Sequence, residues 1–363
     1  MFRLRPGIVK NIKKVRKGLE EAVVEVEGKD EITLNYPDLT GPLAAGDKVI
    51  LNTTALHLKL GTGGRHFVLF NYRYPIHDFN YDQGHIMKLR YTPYQIKVFS
   101  CEEYQNQYHS CFNDFKGLND LTVLVGELHS MLAPAAATLK YLCPQAKIVY
   151  VMTDGAALPI AFSETVSSLK DLEILDSTIT TGHAFGGDLE SVNIYTGLIA
   201  AKEIAKADIV ICTMGPGTVG TGTGYGFTGI EQGEIINSVN TLEGKPIYIL
   251  RISFADRRER HKGISHHSLT CLEKVALTPA AVCLPDTDKD KLDYLKNQLR
   301  ETDIYSKHEV KIKDGKIVEK ALQNFNLKVT TMSRTLEEDK IFFEAVGAAA
   351  SYAAELFKKK AQY

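Results

Sequence analysis

The sequence predicts an α/β protein: a doubly wound, mostly parallel sheet preceded by a small N-terminal β-barrel-like domain. Three observations lead there. Short apolar runs separated by turn residues occupy the first 75 residues. From about residue 121, near-continuous apolar runs alternate with segments of helical periodicity, the pattern of a parallel sheet covered on both faces. The length, 363 residues with 44% apolar and 24% charged, suits a globular chain of about two domains.

Residues 1–75 hold apolar runs at 7–9, 22–26, 31–34, 48–51 and 66–70, divided by turn signals at 28–30, 37–38, 46–47 and 61–64. Short strands at this spacing suit an OB-like or SH3-like barrel. Residues 76–118 form a polar, aromatic connector, with a helix expected over 93–106 because Pro93 suits a first helical turn. Residues 119–285 form the α/β domain. Its strands are expected at 121–128, 147–152, 173–178, 208–214 and 246–252, its helices at 133–142, 162–169, 191–205 and 230–242, and a further strand within 274–284. Residues 286–363 are expected to form an extension packed on that domain. It comprises a polar helix at 289–300, a hairpin over 309–318 around Asp314 and Gly315, and a long helix to about 359 opened by a capping box of Thr335 and Glu338.

The charge balance, 43 Lys+Arg against 44 Asp+Glu, argues against a strongly basic nucleic-acid protein. The local run of Lys10, Lys13, Lys14, Arg16 and Lys17 leaves a partner or nucleic-acid contact open for the N-terminal domain. No apolar run approaches the roughly 18 residues of a membrane span. The opening residues carry no apolar signal segment. The six cysteines are scattered without a C-x-x-C pair, which fits a reducing, cytoplasmic location.

In open α/β sheets, ligands bind beyond the carboxyl ends of the strands. The unusual residues of this chain fall there repeatedly. Glu127, His129 and Ser130 follow the first expected strand, and Asp154 with Gly155 follows the second. His183, Asp188 and Glu190 follow the third, a Gly/Thr loop the fourth and an Arg/His segment the fifth. Imidazole beside carboxylate suits proton transfer near neutral pH, so His129, Asp154, His183, Asp188 and His266 are the catalytic candidates. The loop at 213–229 holds seven of the 28 glycines and five threonines in 17 residues. Such a loop can turn several backbone N–H groups toward one anion. Its ligand-binding candidates are Gly215, Gly217, Thr218, Gly220, Thr221, Gly222 and Thr223, with Arg251 and Arg258 as guanidinium partners. His85, Lys88 and Arg90 would add a basic lip from the connector.

Gly215 to Gly220 formally match G-x-G-x-x-G. Pro216 lies inside that turn, however, and Arg251 stands where a dinucleotide site would place an acid. His183, Asp188, His261 and His266 are candidate ligands for a divalent metal. On a strand, the adjacent His266 and His267 would point opposite ways.

Segments 84–93, 128–134, 152–159, 181–193 (TGHAFGGDLESVN), 214–229 (MGPGTVGTGTGYGFTG) and 251–267 (RISFADRRERHKGISHH) resemble those of a bacterial family known as a domain of unknown function, DUF3866. The resemblance implies a bacterial cytosolic protein and brings no established activity with it.

The expected function is a hydrolase or group-transfer enzyme on a small anionic metabolite, phosphorylated or nucleotide-like. The alternative is a metabolite-sensing regulatory protein whose N-terminal β domain contacts a partner or nucleic acid. An NAD(P)-dependent oxidoreductase is the second alternative. The Ala-rich stretch 345–354 suits either a homo-oligomer or internal packing.

Overall fold

The computed structural model describes residues 2–61, 63–76 and 83–360. Thr62, in the expected turn at 61–64, and residues 77–82, in the expected connector, lie outside the described residues, as do 361–363. The chain divides into two units, residues 1–83 with 89–97 and residues 84–88 with 98–363. The connector is therefore shared between the two units, and residues 286–363 belong to the second.

In the first unit, β1 (Leu4–Arg16), β2 (Leu19–Val26), β3 (Lys29–Asn35), β4 (Lys48–Asn52) and β5 (His66–Asn71) close a barrel in the order β1-β2-β3-β5-β4. The β3–β5 pair is parallel and the other pairs are antiparallel. Alternation turns Val9, Ala22, Val24, Val49, Leu51 and Val68 inward to form a small core. Register shifts between Val9 and Asn11 and between Ile12 and Lys14 bend the long β1, which pairs with both β2 and β4.

The second unit is built on eight parallel strands. They are β6 (Thr122–Gly126), β7 (Ile148–Thr153), β8 (Ser177–Thr180), β9 (Leu189–Glu190), β10 (Ile209–Met214), β11 (Lys245–Ile249), β12 (Ala281–Pro285) and β13 (Glu309–Lys313). Their order is β9-β8-β7-β10-β6-β11-β12-β13, and every neighbouring pair is parallel. Strands β6, β7 and β10 are buried along their whole length, which is why they appear in the sequence as unbroken apolar runs.

Helices α1 (Leu132–Leu142), α2 (Glu164–Asp171), α3 (Ile194–Glu203), α4 (Glu231–Thr241), α5 (His266–Thr270), α6 (Lys289–Arg300), α7 (Ile317–Asn324) and α8 (Lys340–Lys360) cover the sheet. Residues of α1, α2, α7 and α8 form one core and residues of α3, α4 and α6 the other. Right-handed crossovers explain the split, because connections that step along the sheet in opposite directions must lie on opposite faces. Neighbours β6 and β10 send their chains to different faces. Their carboxyl ends therefore mark the switch point, where doubly wound sheets bind ligands.

Three expectations are corrected. No helix forms over 93–106; turns and the short strand Ile96–Val98 stand there. Side chains compete for the backbone in this stretch, with Glu103 Oε1 accepting the Ser100 N–H at 2.8 Å and Asn106 Oδ1 accepting the Tyr108 N–H at 3.1 Å. The 309–318 hairpin is instead the parallel strand β13 leading into α7, with Asp314 Oδ1 accepting the Lys316 N–H at 2.9 Å. Glu338 does accept the Thr335 N–H at 2.7 Å, but α8 begins only at Lys340.

The Ala-rich stretch packs internally: Ala345, Ala348, Ala349, Ala350 and Ala353 are buried in the α/β unit. A Cβ at Gly347 would lie 2.3 Å from the Gly315 carbonyl oxygen, so the backbones meet at a distance no side chain permits. All six cysteines are free thiols. No helix among the described residues is long and apolar enough to cross a membrane.

Candidate functional site

Backbone hydrogen bonds zip together the loops that leave the carboxyl edge of β7, β8 and β10. The Ala157 N–H donates to Pro216 O at 3.0 Å, Phe185 N–H to Leu158 O at 2.9 Å and Thr181 N–H to Met152 O at 3.0 Å. The Gly/Thr loop does not open straight into a helix, because α4 starts only at Glu231. It folds instead into an exposed flap, in which Thr221 N–H donates to Gly226 O at 2.8 Å and Thr228 N–H to Val219 O at 2.9 Å. The G-x-G-x-x-G string therefore lacks the helix N-terminus on which a dinucleotide pyrophosphate rests. Gly215 and Gly217 lie at the root of the flap, and Thr218, Gly220, Thr221, Gly222 and Thr223 form its arm.

The flap touches a cluster of imidazoles. A Cβ at Gly220 would lie 3.3 Å from His267 Cε1, and one at Gly222 would lie 3.7 Å from the guanidinium carbon of the exposed Arg260. Phe227 stacks on His267 with ring centroids 3.9 Å apart. His261, His266 and His267 each offer a nitrogen, and these nitrogens lie within 4.8 Å of one another. His266 and His267 sit on the first turn of α5, not on a strand, so both rings face the same cluster, with centroids 4.3 Å apart. Burial and the cations Arg251 and Arg258 hold His261 down to about 3. Burial, with His267 and Arg260, holds His266 down to about 4. Both imidazoles are thus neutral at physiological pH.

Behind the imidazoles lies a buried charge network. Glu127 Oε1 is 3.3 Å from Arg251 Nη1 and 3.7 Å from His267 Nδ1, and the Ser268 hydroxyl donates to Glu127 Oε2 at 3.1 Å. Burial pushes the Glu127 carboxyl up, but His267, Arg251 and Ser268 together outweigh it and hold it below the usual carboxylate range. Arg251 Nη2 is buried without a hydrogen-bond partner. Arg258 is held bidentately by Asp256 at 2.9 and 2.7 Å, and this pairing holds Asp256 well below the usual carboxylate range.

A cavity at the same edge has a volume of about 380 Å³ and is lined by Thr153, Asp154, Glu231 and Glu234 among others. Burial pushes the Glu231 carboxyl up to about 7; the Thr153 hydroxyl, bonded to Glu231 Oε1 at 2.5 Å, opposes the shift, while Asp154 and Glu234 add to it. Asp154 Oδ2 accepts the His183 backbone N–H at 2.8 Å. Gly182, at φ +63°, brings that backbone so close that a Cβ would lie 2.2 Å from Asp154 Oδ2.

The remaining candidates stand apart from these two sites. His129 is half-buried; its Nδ1–H donates to Met214 O at 3.2 Å, and its Nε2 accepts the Ser163 hydroxyl at 2.7 Å. Both ring nitrogens are thus occupied within the fold, and burial lowers the ring's pKa to about 4. Asp188 accepts the Thr178 N–H at 3.0 Å and pairs with Lys170 at 3.0 Å, below the carboxyl end of β8. His183 and Asp188 are not part of the imidazole cluster. Lys88 is no part of an exposed lip: it is buried, pairs with Glu190 at 2.6 Å and donates to Thr180 O and Ala184 O. His85 is exposed and its Nδ1 lies 2.6 Å from Glu103, while Arg90 is exposed on the unit that contains the barrel.

Glu231, Phe227 and Arg260 are the residues that sequence reasoning passed over, and His267 was expected to point away from His266. An acid in the first turn of a helix reads as a partner of the helix dipole, and nothing local marks Glu231 otherwise. The pairing of His267 with His266 becomes legible only once the segment is seen to be helical.

Fold and site together define a doubly wound α/β protein with an N-terminal β-barrel and an imidazole–arginine cluster under a glycine-rich flap at the sheet's switch point. The chain belongs to the DUF3866 family, described as a protein of unknown function, whose model matches residues 32–350. No match is found among curated proteins.

Proposed function

We propose that this protein is a hydrolase or group-transfer enzyme acting on a small anionic metabolite, phosphorylated or nucleotide-like. The observation that carries this reading is the Gly/Thr flap lying against His267 and Arg260, with the buried Arg251 behind the imidazoles. A flap of small residues lets a ligand approach its backbone N–H groups, and the arginines supply charge opposite an anion. Glu231 favours an enzyme over a binding protein. A carboxyl that titrates near 7 is suited to give and take protons at working pH. His129, with both nitrogens occupied, is a positioning residue that ties the root of the flap to α2.

The test is turnover by the full chain, with added divalent cations, on phosphate monoesters, nucleotides and other small anionic esters. Thermal shift with the same compounds reads binding. A turned-over substrate whose rate falls at least about 100-fold in Glu231→Gln supports the reading. Failure of every anionic compound to bind or react would remove it.

A further inference from the structure

The imidazole cluster has a feature that the proposed activity does not require. His266 Nε2 is buried and has no hydrogen-bond partner. A polar nitrogen shut away from water costs about 1–3 kcal/mol unless something occupies it. Its neighbours do have partners on their far nitrogens. His261 Nδ1 lies 2.8 Å from the Ser265 hydroxyl oxygen, which also accepts the His267 N–H at 3.2 Å. His267 Nδ1 faces Glu127 Oε1 at 3.7 Å. A bound ion would select the tautomers in which one Nδ1–H donates to Ser265 and the other points at Glu127, leaving the Nε2 lone pairs of both rings directed away from these partners. This is how imidazole ligands are oriented in metal centres, where an oxygen acceptor holds the other ring N–H.

We propose that His261, His266 and His267 bind a divalent first-row transition ion, with Zn²⁺ as the reference case, through their Nε2 atoms. Three imidazoles and no thiolate are a donor set for Zn, Ni, Fe or Cu and not for Mg or Ca. A tetrahedral ion with Zn–N of about 2.0–2.1 Å needs nitrogens roughly 3.3 Å apart. One nitrogen from each ring already lies within 4.8 Å of the others, and small rotations of three side chains on one short segment close that spacing. The fourth position faces the flap. A Cβ at Gly220 would lie 3.5 Å from His267 Nε2, so a glycine leaves room there that other residues would take. Phe227 stacked on His267 closes the side of the site and fixes the ring plane. The catalytic meaning of this ion rests on the activity proposed above: it would polarise the substrate or lower the pKa of a bound water. Its binding does not rest on that activity.

The test uses tag-free full-length protein, stripped with chelator and titrated with Co²⁺ and Zn²⁺. Elemental analysis should find one Zn²⁺ per chain after desalting, and Co²⁺ should give the visible bands of a four-coordinate site, displaced by Zn²⁺. His266→Gln is the main variant because His266 is the least buried of the three; His267→Gln is the second, and His183→Ala the control. Loss of Zn²⁺ affinity by about 100-fold or more in the first two, with unchanged circular dichroism and an unaffected control, supports the site. If the wild type retains no Zn²⁺ and shows no such bands, or if folded His266→Gln and His267→Gln bind as the wild type does, the site is overturned. Zn²⁺ bound without turnover of any anionic substrate would keep the metal site and remove the proposed enzyme. Turnover by a wild type that binds no Zn²⁺ would remove the metal site and keep the proposed enzyme.

Discussion

Phe227 lies flat on His267, with the ring planes 4° apart and the centroids separated by 3.9 Å. The pair joins the end of the flap to α5, so one contact both buries an aromatic ring and sets the orientation of an imidazole. Phe227→Ala removes a buried ring and should lower the unfolding free energy by about 3–5 kcal/mol. Phe227→Leu should cost about 1 kcal/mol. Urea denaturation followed by circular dichroism checks both. Equal effects of the two variants would show that the ring does not bear on the fold.

Glu231 gives a stability prediction with a definite sign. Its carboxyl is raised from 4.5 in the unfolded chain to about 7, so the folded state holds a proton that the unfolded state releases. The favourable contribution is complete below pH 4.5 and is lost as pH rises through 7. Glu231→Gln should therefore be more stable than the wild type by about 2–3 kcal/mol at pH 8 and nearly equal to it at pH 4. Its activity should fall while its stability rises, and the wild-type pH–rate profile should show an inflection near pH 7 that the variant lacks. Parallel urea titrations at the two pH values decide the first point, and steady-state rates decide the second.

His129 runs the other way. Burial lowers it to about 4 from 6.5, so between those values the unfolded chain binds a proton that the folded chain refuses. Stability from this group is intact above pH 6.5 and falls by about 3 kcal/mol on acidification to pH 4. Replacement by Gln should flatten that part of the stability–pH curve. A slope unchanged from the wild type between pH 6.5 and pH 4 would contradict the assignment.

Lys88 and Glu190 form a buried ion pair at 2.6 Å, and the ammonium also caps two backbone carbonyls. Lys88→Met leaves a largely buried carboxylate without its partner and should cost about 2–4 kcal/mol. The double variant with Glu190→Gln should recover part of this. A double-mutant cycle on thermal unfolding measures the coupling, and a cycle that closes at zero would show that the two groups act independently.

Gly182 is a backbone requirement. At φ +63°, with a Cβ only 2.2 Å from Asp154 Oδ2, Gly182→Ala must either strain the turn or push Asp154 aside. The variant should lose about 1–3 kcal/mol of stability, and Glu231 should titrate lower once Asp154 is displaced. Thermal unfolding and a pH titration followed by carboxyl NMR test both.

The sheet was legible in the sequence because its central strands are buried on both faces. Residues 121–128, 147–152 and 208–214 could hardly be anything else, and the structure places Thr122–Gly126, Ile148–Thr153 and Ile209–Met214 there. The helix expected at 93–106 and the hairpin expected at 309–318, neither of which forms, are places where local signals are weak. Pro93 permits a helix start but does not require it, and Asp314 with Gly315 suits a turn into a helix as well as one into a strand. Among the candidate residues, the sequence marked the Gly/Thr loop and the Arg/His segment, which the structure brings into contact at Gly220 and Gly222. It could not separate His266, in the cluster, from His129 and Asp188, which are held within the fold.

What the sequence determined by itself is the order of elements and the edge on which the reactive residues gather. Burial periodicity and turn chemistry are properties of near neighbours along the chain. What only the tertiary structure decided is which side chains meet. Glu127 reaches Arg251 and Ser268 across more than a hundred residues, and Glu231 acquires its raised carboxyl from burial, with Asp154 on another strand end adding to it. Charge, desolvation and hydrogen bonding depend on distances in space, and in this chain those distances follow from the strand order β7-β10-β6-β11, which no local pattern encodes.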